Sequence, residues 1–175
     1  MKQLIAINRS GWYWALLFWG GILLMGVALY FQYGRDEWPC LLCIHVRLGV
    51  SAMILVAALG WWLRKRPWAA MVLHGLMLAV AVGLLNRSML LFGTERGTVF
   101  GECSMELGLP AWFALDKWLP GLYEVQASCG YTPQLFAGIT MAEALLVMSW
   151  VLVVISVGQW LIGLFALSKA QWRDG

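Results

Sequence analysis

Four long apolar stretches constrain this chain more than any other feature of its sequence. They cover about 12–33, 44–63, 68–91 and 141–167. Each has about 20 residues or more, the length that an α-helix needs to cross roughly 30 Å of hydrocarbon. Only 12% of the residues are charged, against about 25% in a typical soluble domain. The sequence therefore excludes a water-soluble domain and predicts an all-α membrane protein, a single domain over 1–175 built as a four-transmembrane-helix bundle.

The charged residues predict which way the bundle faces. With both termini in the cytoplasm, the cytoplasmic side holds seven basic residues and one acidic residue (Lys2, Arg9, Arg64, Lys65, Arg66, Lys169 and Arg173, with Asp174). The outer side then holds the remaining five basic and eight acidic residues. Basic residues near span ends resist translocation, so this orientation is favoured. The first stretch is too long for a signal-peptide core and is expected to be retained. Because the longest basic run has three residues, nucleic acid is not an expected partner.

Two outer loops follow from this topology, at about 34–43 and 86–140. A loop as long as the second is usually functional. Within it, 111–125 places Trp112, Leu115, Trp118, Leu119 and Leu122 at helical spacings. The pattern predicts a short interfacial helix that lies in the plane of the lipid headgroups.

All four cysteines, Cys40, Cys43, Cys103 and Cys129, fall on the predicted outer side. An oxidising compartment favours disulfides, and four cysteines allow three pairings between which the sequence does not choose. Two structural disulfides or a metal site are the alternatives to redox chemistry. A bridge between Cys40 and Cys43 would constrain little chain, whereas Cys-x-x-Cys at a helix start is typical of a reversible dithiol. The spacing therefore favours redox chemistry.

Arg47 lies one helical turn after Cys43, on the same face of the predicted helix. A guanidinium inside a membrane span is costly and needs a partner or a function. It can extend to the headgroups, or it can stabilise a thiolate and a reduced, anionic acceptor beside Cys43. His45 points about 200° away from Cys43 on a helix and is predicted to be an interface residue.

The string Trp38-Pro39-Cys40-Leu41-Leu42-Cys43-Ile44-His45-Val46-Arg47, the four spans and a second cysteine pair 26 positions apart resemble the DsbB family of bacterial disulfide-bond formation proteins. The segment Leu115-Asp116-Lys117-Trp118-Leu119-Pro120 between that second pair adds to the likeness. The resemblance covers nearly the whole chain. It implies a protein-disulfide:quinone oxidoreductase of the bacterial inner membrane, with its cysteine loops in the periplasm.

The resemblance also assigns roles to individual residues. Cys103 and Cys129 would form the pair that accepts electrons from a reduced DsbA-like periplasmic thioredoxin-fold protein, with Cys103 taking the mixed disulfide. Cys129 would exchange with Cys40, leaving Cys43 as the thiolate that faces ubiquinone or menaquinone. Arg47 would be the quinone-site arginine. The alternatives are a DsbI-like paralogue, a vitamin K epoxide reductase-like enzyme, and a non-catalytic membrane protein with two structural disulfides.

Overall fold

Four long helices form the frame of the molecule, in a computed structural model that describes residues 11–99, 106–136 and 138–171. They are α1 (Gly11–Gly34), α2 (Leu41–Leu63), α3 (Pro67–Glu95) and, after the long loop, a last helix over Met141–Gln171. Each contains a segment long and apolar enough to cross a membrane. The predicted four-transmembrane-helix bundle is therefore confirmed.

The long helices pack in the order α1, α2, α3, last helix, since each contacts the next. A turn at Arg64–Arg66 joins α2 and α3, closed by a 2.9 Å hydrogen bond from the Arg66 N–H to the Leu63 carbonyl. So short a connection makes these two helices antiparallel neighbours. The main core lies between α1, α2 and α3 and includes Trp14, Met53, Ala57, Leu73, Met77 and Leu84.

Close approach of α1 and α2 depends on Gly60. A Cβ atom at this position would lie 2.3 Å from the ring of Trp14, a side chain that is fully buried. We expect Gly60→Ala to lower the stability of the bundle by about 1–3 kcal/mol, because the ring has no space into which to move. Thermal unfolding in detergent measures this change. Gly26→Ala is the matched control, since a Cβ at Gly26 meets nothing within 4 Å, and equal losses in both variants would contradict the packing argument.

The ends of two helices differ from the sequence expectation. Helix α2 begins at Leu41 rather than 44, which places the Cys-x-x-Cys segment in its first turn. Helix α3 continues to Glu95, four residues beyond the apolar stretch predicted over 68–91, so the beginning of the loop predicted at about 86–140 is helical. Polar Asn86 and Arg87 lie near the end of that stretch and do not end the helix. The helix stops where Gly97 adopts a positive φ of 68°, a conformation that glycine accepts readily.

The helix predicted over 111–125 is present as three short turns. A 3₁₀ turn at Ala111–Phe113 is followed by α4 (Leu115–Trp118) and α5 (Pro120–Tyr123). Pro120 lacks an N–H and restricts Leu119, which has φ −135° and ψ 64° outside the helical region, so a continuous helix cannot form. Trp112 and Trp118 are 77% and 60% exposed, which leaves an apolar surface on this segment.

A small hairpin that the sequence analysis missed leads into the last helix, α6 (Met141–Gln171). Strand β1 (Gln134–Phe136) pairs antiparallel with β2 (Ile139–Thr140). At the start of α6, Thr140 and Glu143 exchange hydrogen bonds between side chain and backbone N–H, at 3.2 and 3.3 Å. This reciprocal cap satisfies two N–H groups of the helix start. Thr132 and Thr140 also donate to the Glu95 carboxylate, which fixes the hairpin to the end of α3.

Candidate functional site

The Cys-x-x-Cys segment forms the beginning of α2. Cys40 is the N-cap, with extended backbone (φ −82°, ψ 168°), and its Sγ accepts a 3.3 Å hydrogen bond from the Cys43 N–H. The two sulfurs are 2.6 Å apart. Cys40 is only 2% exposed, whereas Cys43 is half-buried. The two sulfurs are therefore close enough for a disulfide to form between them at the start of α2.

The two cysteines of this segment differ in their surroundings. The hydrogen bond with Cys43, followed by burial, raises the pKa of the Cys40 thiol well above its usual range. A thiol in such a position keeps its proton at neutral pH. Cys43 occupies the third position of α2, where backbone N–H groups of the helix start carry a partial positive charge. The hydrogen bond and burial therefore disfavour a thiolate at Cys40 in the reduced pair.

Cys129 lies beside this pair. Its side chain packs against the buried cluster of Cys40, Leu42, Leu91 and Ala142, and it is close enough to hydrogen-bond with the Cys40 thiol. The sequence could not choose among pairings, but the structure places Cys129 next to Cys40. Cys103 lies outside the described residues.

Backbone pairing carries Cys129 to this position. The Pro39 carbonyl accepts hydrogen bonds from the N–H groups of Gln126 and Ala127, at 3.0 and 3.2 Å. Ala127 forms a parallel bridge with Cys40. The long loop thus docks on the residues just before α2, two residues ahead of Cys129.

Arg47 is turned into the protein and does not extend to solvent, since only 7% of it is exposed. Its Nη1 donates to Gln32 Oε1 at 2.6 Å and to the Leu122 carbonyl at 3.2 Å. Its Nη2 donates to the Ala28 carbonyl at 3.2 Å. These bonds connect α2 with α1 and with the loop, and they supply the partners that a guanidinium in a membrane span requires.

Gln32 is a residue of the candidate site that the sequence did not single out. It is buried, 6% exposed, and its amide bridges Arg47 to Gln126 of the loop, with a 3.3 Å bond from its Nε2 to Gln126 Oε1. A signal was present, because Gln32 is the only charged or amide side chain between 11 and 34. A lone amide near the same end of the bundle as Arg47 is a candidate partner for it.

Cys43 and Arg47 together line an apolar cleft between α1, α2, α6 and the loop. The cavity within it has a volume of about 120 Å³, and the cleft is partly open to the outside. Its walls are mostly aliphatic and aromatic side chains, among them Leu24, Ala28, Phe31, Val46, Val50, Met141, Leu145 and Met148. The apolar lining and the partly open cleft suit an apolar molecule, and Arg47 supplies a donor for an acceptor oxygen on it.

Two further observations concern His45 and the alternative of a metal site. His45 lines a separate groove with Gly49 and Arg87, away from the cleft that Cys43 lines, as its position on the helix predicts. In the part of the chain that the structure describes, which leaves out Cys103, no three His, Cys, Asp or Glu side chains are grouped so that they could hold a metal ion.

Comparison with known proteins gives one consistent result. Residues 10–159 match the family model described as disulfide bond formation protein DsbB. Disulfide bond formation protein B of Shewanella frigidimarina is 30% identical over 152 residues, covering 82% of this chain and 85% of that protein. Disulfide bond formation protein B 2 of Pseudomonas aeruginosa is 30% identical over 144 residues, covering 81% and 85%. The protein B of Shewanella amazonensis is 29% identical over 167 residues, covering 90% of each chain.

Proposed function

The chain belongs to the DsbB family of disulfide bond formation proteins, and from this premise we propose that it reoxidises a DsbA-like periplasmic dithiol protein and passes the electrons to membrane quinone. It is a multi-pass membrane protein by its four apolar helices. The observation that carries the proposal is that Cys129 lies beside Cys40, Cys40 beside Cys43, and Cys43 at the apolar cleft.

The first step is an exchange with the protein substrate. A thiolate of the reduced partner attacks the Cys103–Cys129 disulfide at Cys103, forming a mixed disulfide and releasing Cys129 as a thiolate. The second partner thiol then displaces Cys103, and the partner leaves oxidised. This role of Cys103 rests on the family resemblance, whereas the position of Cys129 beside Cys40 supports its part in the next step.

The second step joins the two cysteine pairs. The Cys129 thiolate attacks Sγ of Cys40 in the Cys40–Cys43 disulfide, so that a Cys40–Cys129 bond forms and Cys43 leaves as a thiolate. The helix start and the Arg47 guanidinium, one turn further along α2, stabilise that negative charge. Cys103 then attacks Cys129 and regenerates the loop disulfide, which leaves Cys40 and Cys43 as a dithiol.

The cleft is the proposed site for quinone, ubiquinone or menaquinone, because its apolar walls and single guanidinium fit a ring that carries carbonyl oxygens. When bound, a quinone accepts two electrons and two protons. Arg47 would donate a hydrogen bond to a carbonyl oxygen, and Phe31, Val46 and Met148 would keep water from the Cys43 sulfur. An acceptor of high potential is needed, since DsbA itself is poised near about −120 mV.

The charge distribution supports an orientation with both termini in the cytoplasm and the cysteines facing the periplasm of a bacterial inner membrane. Cys40, Cys43 and Cys129 all lie at the ends of α1 and α2 that this orientation places outside. The exposed Trp112 and Trp118 would meet the lipid headgroups there. In this arrangement a lipid-soluble acceptor and a periplasmic dithiol reach the same site from two sides.

Thiol trapping in cells tests this proposal against two structural disulfides. When quinone synthesis is blocked, we expect Cys40, Cys43, Cys103 and Cys129 to accumulate as thiols, because no acceptor remains for their electrons. Alkylation with a thiol reagent that changes mobility on a gel measures their redox state. Cysteines that stay fully oxidised without quinone would contradict electron transfer through the two pairs and indicate structural disulfides.

A second prediction concerns Cys129→Ser. The fully reduced variant should still form one equivalent of quinol when it is mixed with soluble quinone, because Cys40 and Cys43 are intact. Steady-state turnover with the reduced protein partner should fall to the uncatalysed rate, since the link between the pairs is lost. Stopped-flow absorbance of the quinone measures both. Loss of the first equivalent, or retention of turnover, would place Cys129 elsewhere in the reaction.

A further inference from the structure

A set of hydrogen bonds holds loop residues 121–126 on α1 and α2. Tyr33 donates to the Gly121 carbonyl at 2.8 Å, and Arg47 donates to the Leu122 carbonyl. The hydroxyls of Ser51 and Tyr123 are 2.6 Å apart. With the bond between the side chains of Gln32 and Gln126, four successive contacts fix this stretch of the loop, which we term the latch segment.

Tyr123 is the most deeply inserted residue of the latch segment. It is 6% exposed and forms a buried cluster with Leu41, Ile44 and Leu107. Leu41 lies next to Cys40 in the chain, and Cys129 packs against the same cluster. Tyr123 therefore belongs to a buried cluster that adjoins both Cys40 and Cys129, the cysteines that the proposed exchange joins.

The hydroxyl pair has a defined direction. Ser51 Oγ donates to the Arg47 carbonyl at 2.9 Å, which uses its only proton. The Tyr123 hydroxyl must then be the donor to Ser51 Oγ. Ser51, one turn beyond Arg47 on α2, thus accepts a hydrogen bond from the hydroxyl of Tyr123. A buried hydroxyl is costly to leave without a partner.

The latch segment runs directly into the docking site of the loop. Three residues after Tyr123, Gln126 and then Ala127 bind the Pro39 carbonyl, and Cys129 follows. We propose that Tyr123, held by Ser51, is a positioning residue that presents Cys129 to Cys40. It acts on the exchange between the two cysteine pairs and has no part in electron transfer from Cys43 to quinone. This inference rests on the proposed function.

Two reactions of the full-length protein in detergent test the proposal. Steady-state quinol formation with a reduced thioredoxin-fold dithiol protein requires the exchange, whereas single-turnover oxidation of the fully reduced protein by soluble quinone does not. In Tyr123→Phe and in Ser51→Ala, the first rate should fall about three- to tenfold, the change expected for one buried hydrogen bond. The second rate should stay unchanged. Neither residue lines the cleft.

Further variants separate positioning from general stability. The double variant should be no slower than either single variant, because both remove the same bond. Tyr30→Phe is the matched control, since Tyr30 is 62% exposed, and it should behave as the wild type. In a Cys43→Ser background, Cys40 can exchange only with the Cys103–Cys129 disulfide, and Tyr123→Phe should also lower the yield of the Cys40–Cys129 disulfide that this exchange forms.

Three outcomes would overturn the positioning role. These are an unchanged steady-state rate in both single variants, an equal fall of both rates, or additive losses in the double variant. A wild-type protein that reduces quinone in neither reaction would overturn the proposed function, and the positioning role with it. That result is distinguishable because it does not depend on any variant.

Discussion

Cys43→Ser is expected to abolish quinol formation, lowering the rate by about 1,000-fold or more, as loss of a reacting nucleophile does. Cys43 is the cysteine that lines the apolar cleft, whereas Cys40 is nearly fully buried at the helix cap. Serine has almost the same shape, so the start of α2 should be preserved. Absorbance of a soluble quinone during steady-state turnover measures the loss.

The same variant should accumulate a Cys40–Cys129 disulfide, because the Cys40 thiolate, which has no partner at position 43, attacks Cys129 of the Cys103–Cys129 disulfide and releases Cys103 as a thiolate. Non-reducing peptide mapping detects this bond. A thermal unfolding midpoint close to that of the wild type is the control for folding. Normal turnover by Cys43→Ser, or a variant without the trapped disulfide, would contradict the path from Cys129 through Cys40 to Cys43.

Arg47→Ala is expected to raise the apparent KM for quinone by about tenfold or more, the effect of removing a charged hydrogen-bond donor from the cleft. The KM for the protein substrate should rise less, about threefold, through loss of the bond to the Leu122 carbonyl. Gln32 and the Ala28 carbonyl also lose their donor, so a lower unfolding temperature should accompany the change. Steady-state kinetics with each substrate varied in turn separates these effects.

Arg96→Ala is the matched control for Arg47→Ala. Arg96 is exposed, pairs with Glu143 at 2.6 Å and does not line the cleft, so both KM values should remain near those of the wild type. The quinone KM of Arg47→Lys should lie between those of the wild type and Arg47→Ala, since lysine keeps the charge but lacks the planar guanidinium that reaches several acceptors. Equal increases in the two KM values for Arg47→Ala would argue that Arg47 serves only the fold.

Local patterns in the sequence were sufficient for the frame of the molecule. Apolar stretches of membrane length predicted all four helices. The spacing of Cys43 and Arg47 depends only on helix geometry, so their position on one side of α2 and in one cleft could be predicted from the chain itself. The placement of His45 in a different groove followed from the same periodicity.

Contacts between distant segments could not be predicted in this way. The proximity of Cys129 to Cys40 depends on how Gln126 and Ala127 bind the Pro39 carbonyl, a backbone contact without a side-chain signature. The partners of Arg47 include two carbonyl oxygens, which every residue carries. The predicted loop helix is divided into short turns because Pro120 interrupts it, although the apolar residues around Pro120 have helical spacing.

The most direct test of the electron path mixes the purified protein in lipid nanodiscs with a reduced thioredoxin-fold dithiol protein and a soluble quinone. Partner disulfide and quinol are then measured in the same samples over time. The path through Cys129, Cys40 and Cys43 predicts one quinol for each partner disulfide formed, at a rate proportional to the protein concentration. Partner oxidation without quinol, or quinol formation that persists when Cys40 and Cys43 are both replaced by serine, would contradict it.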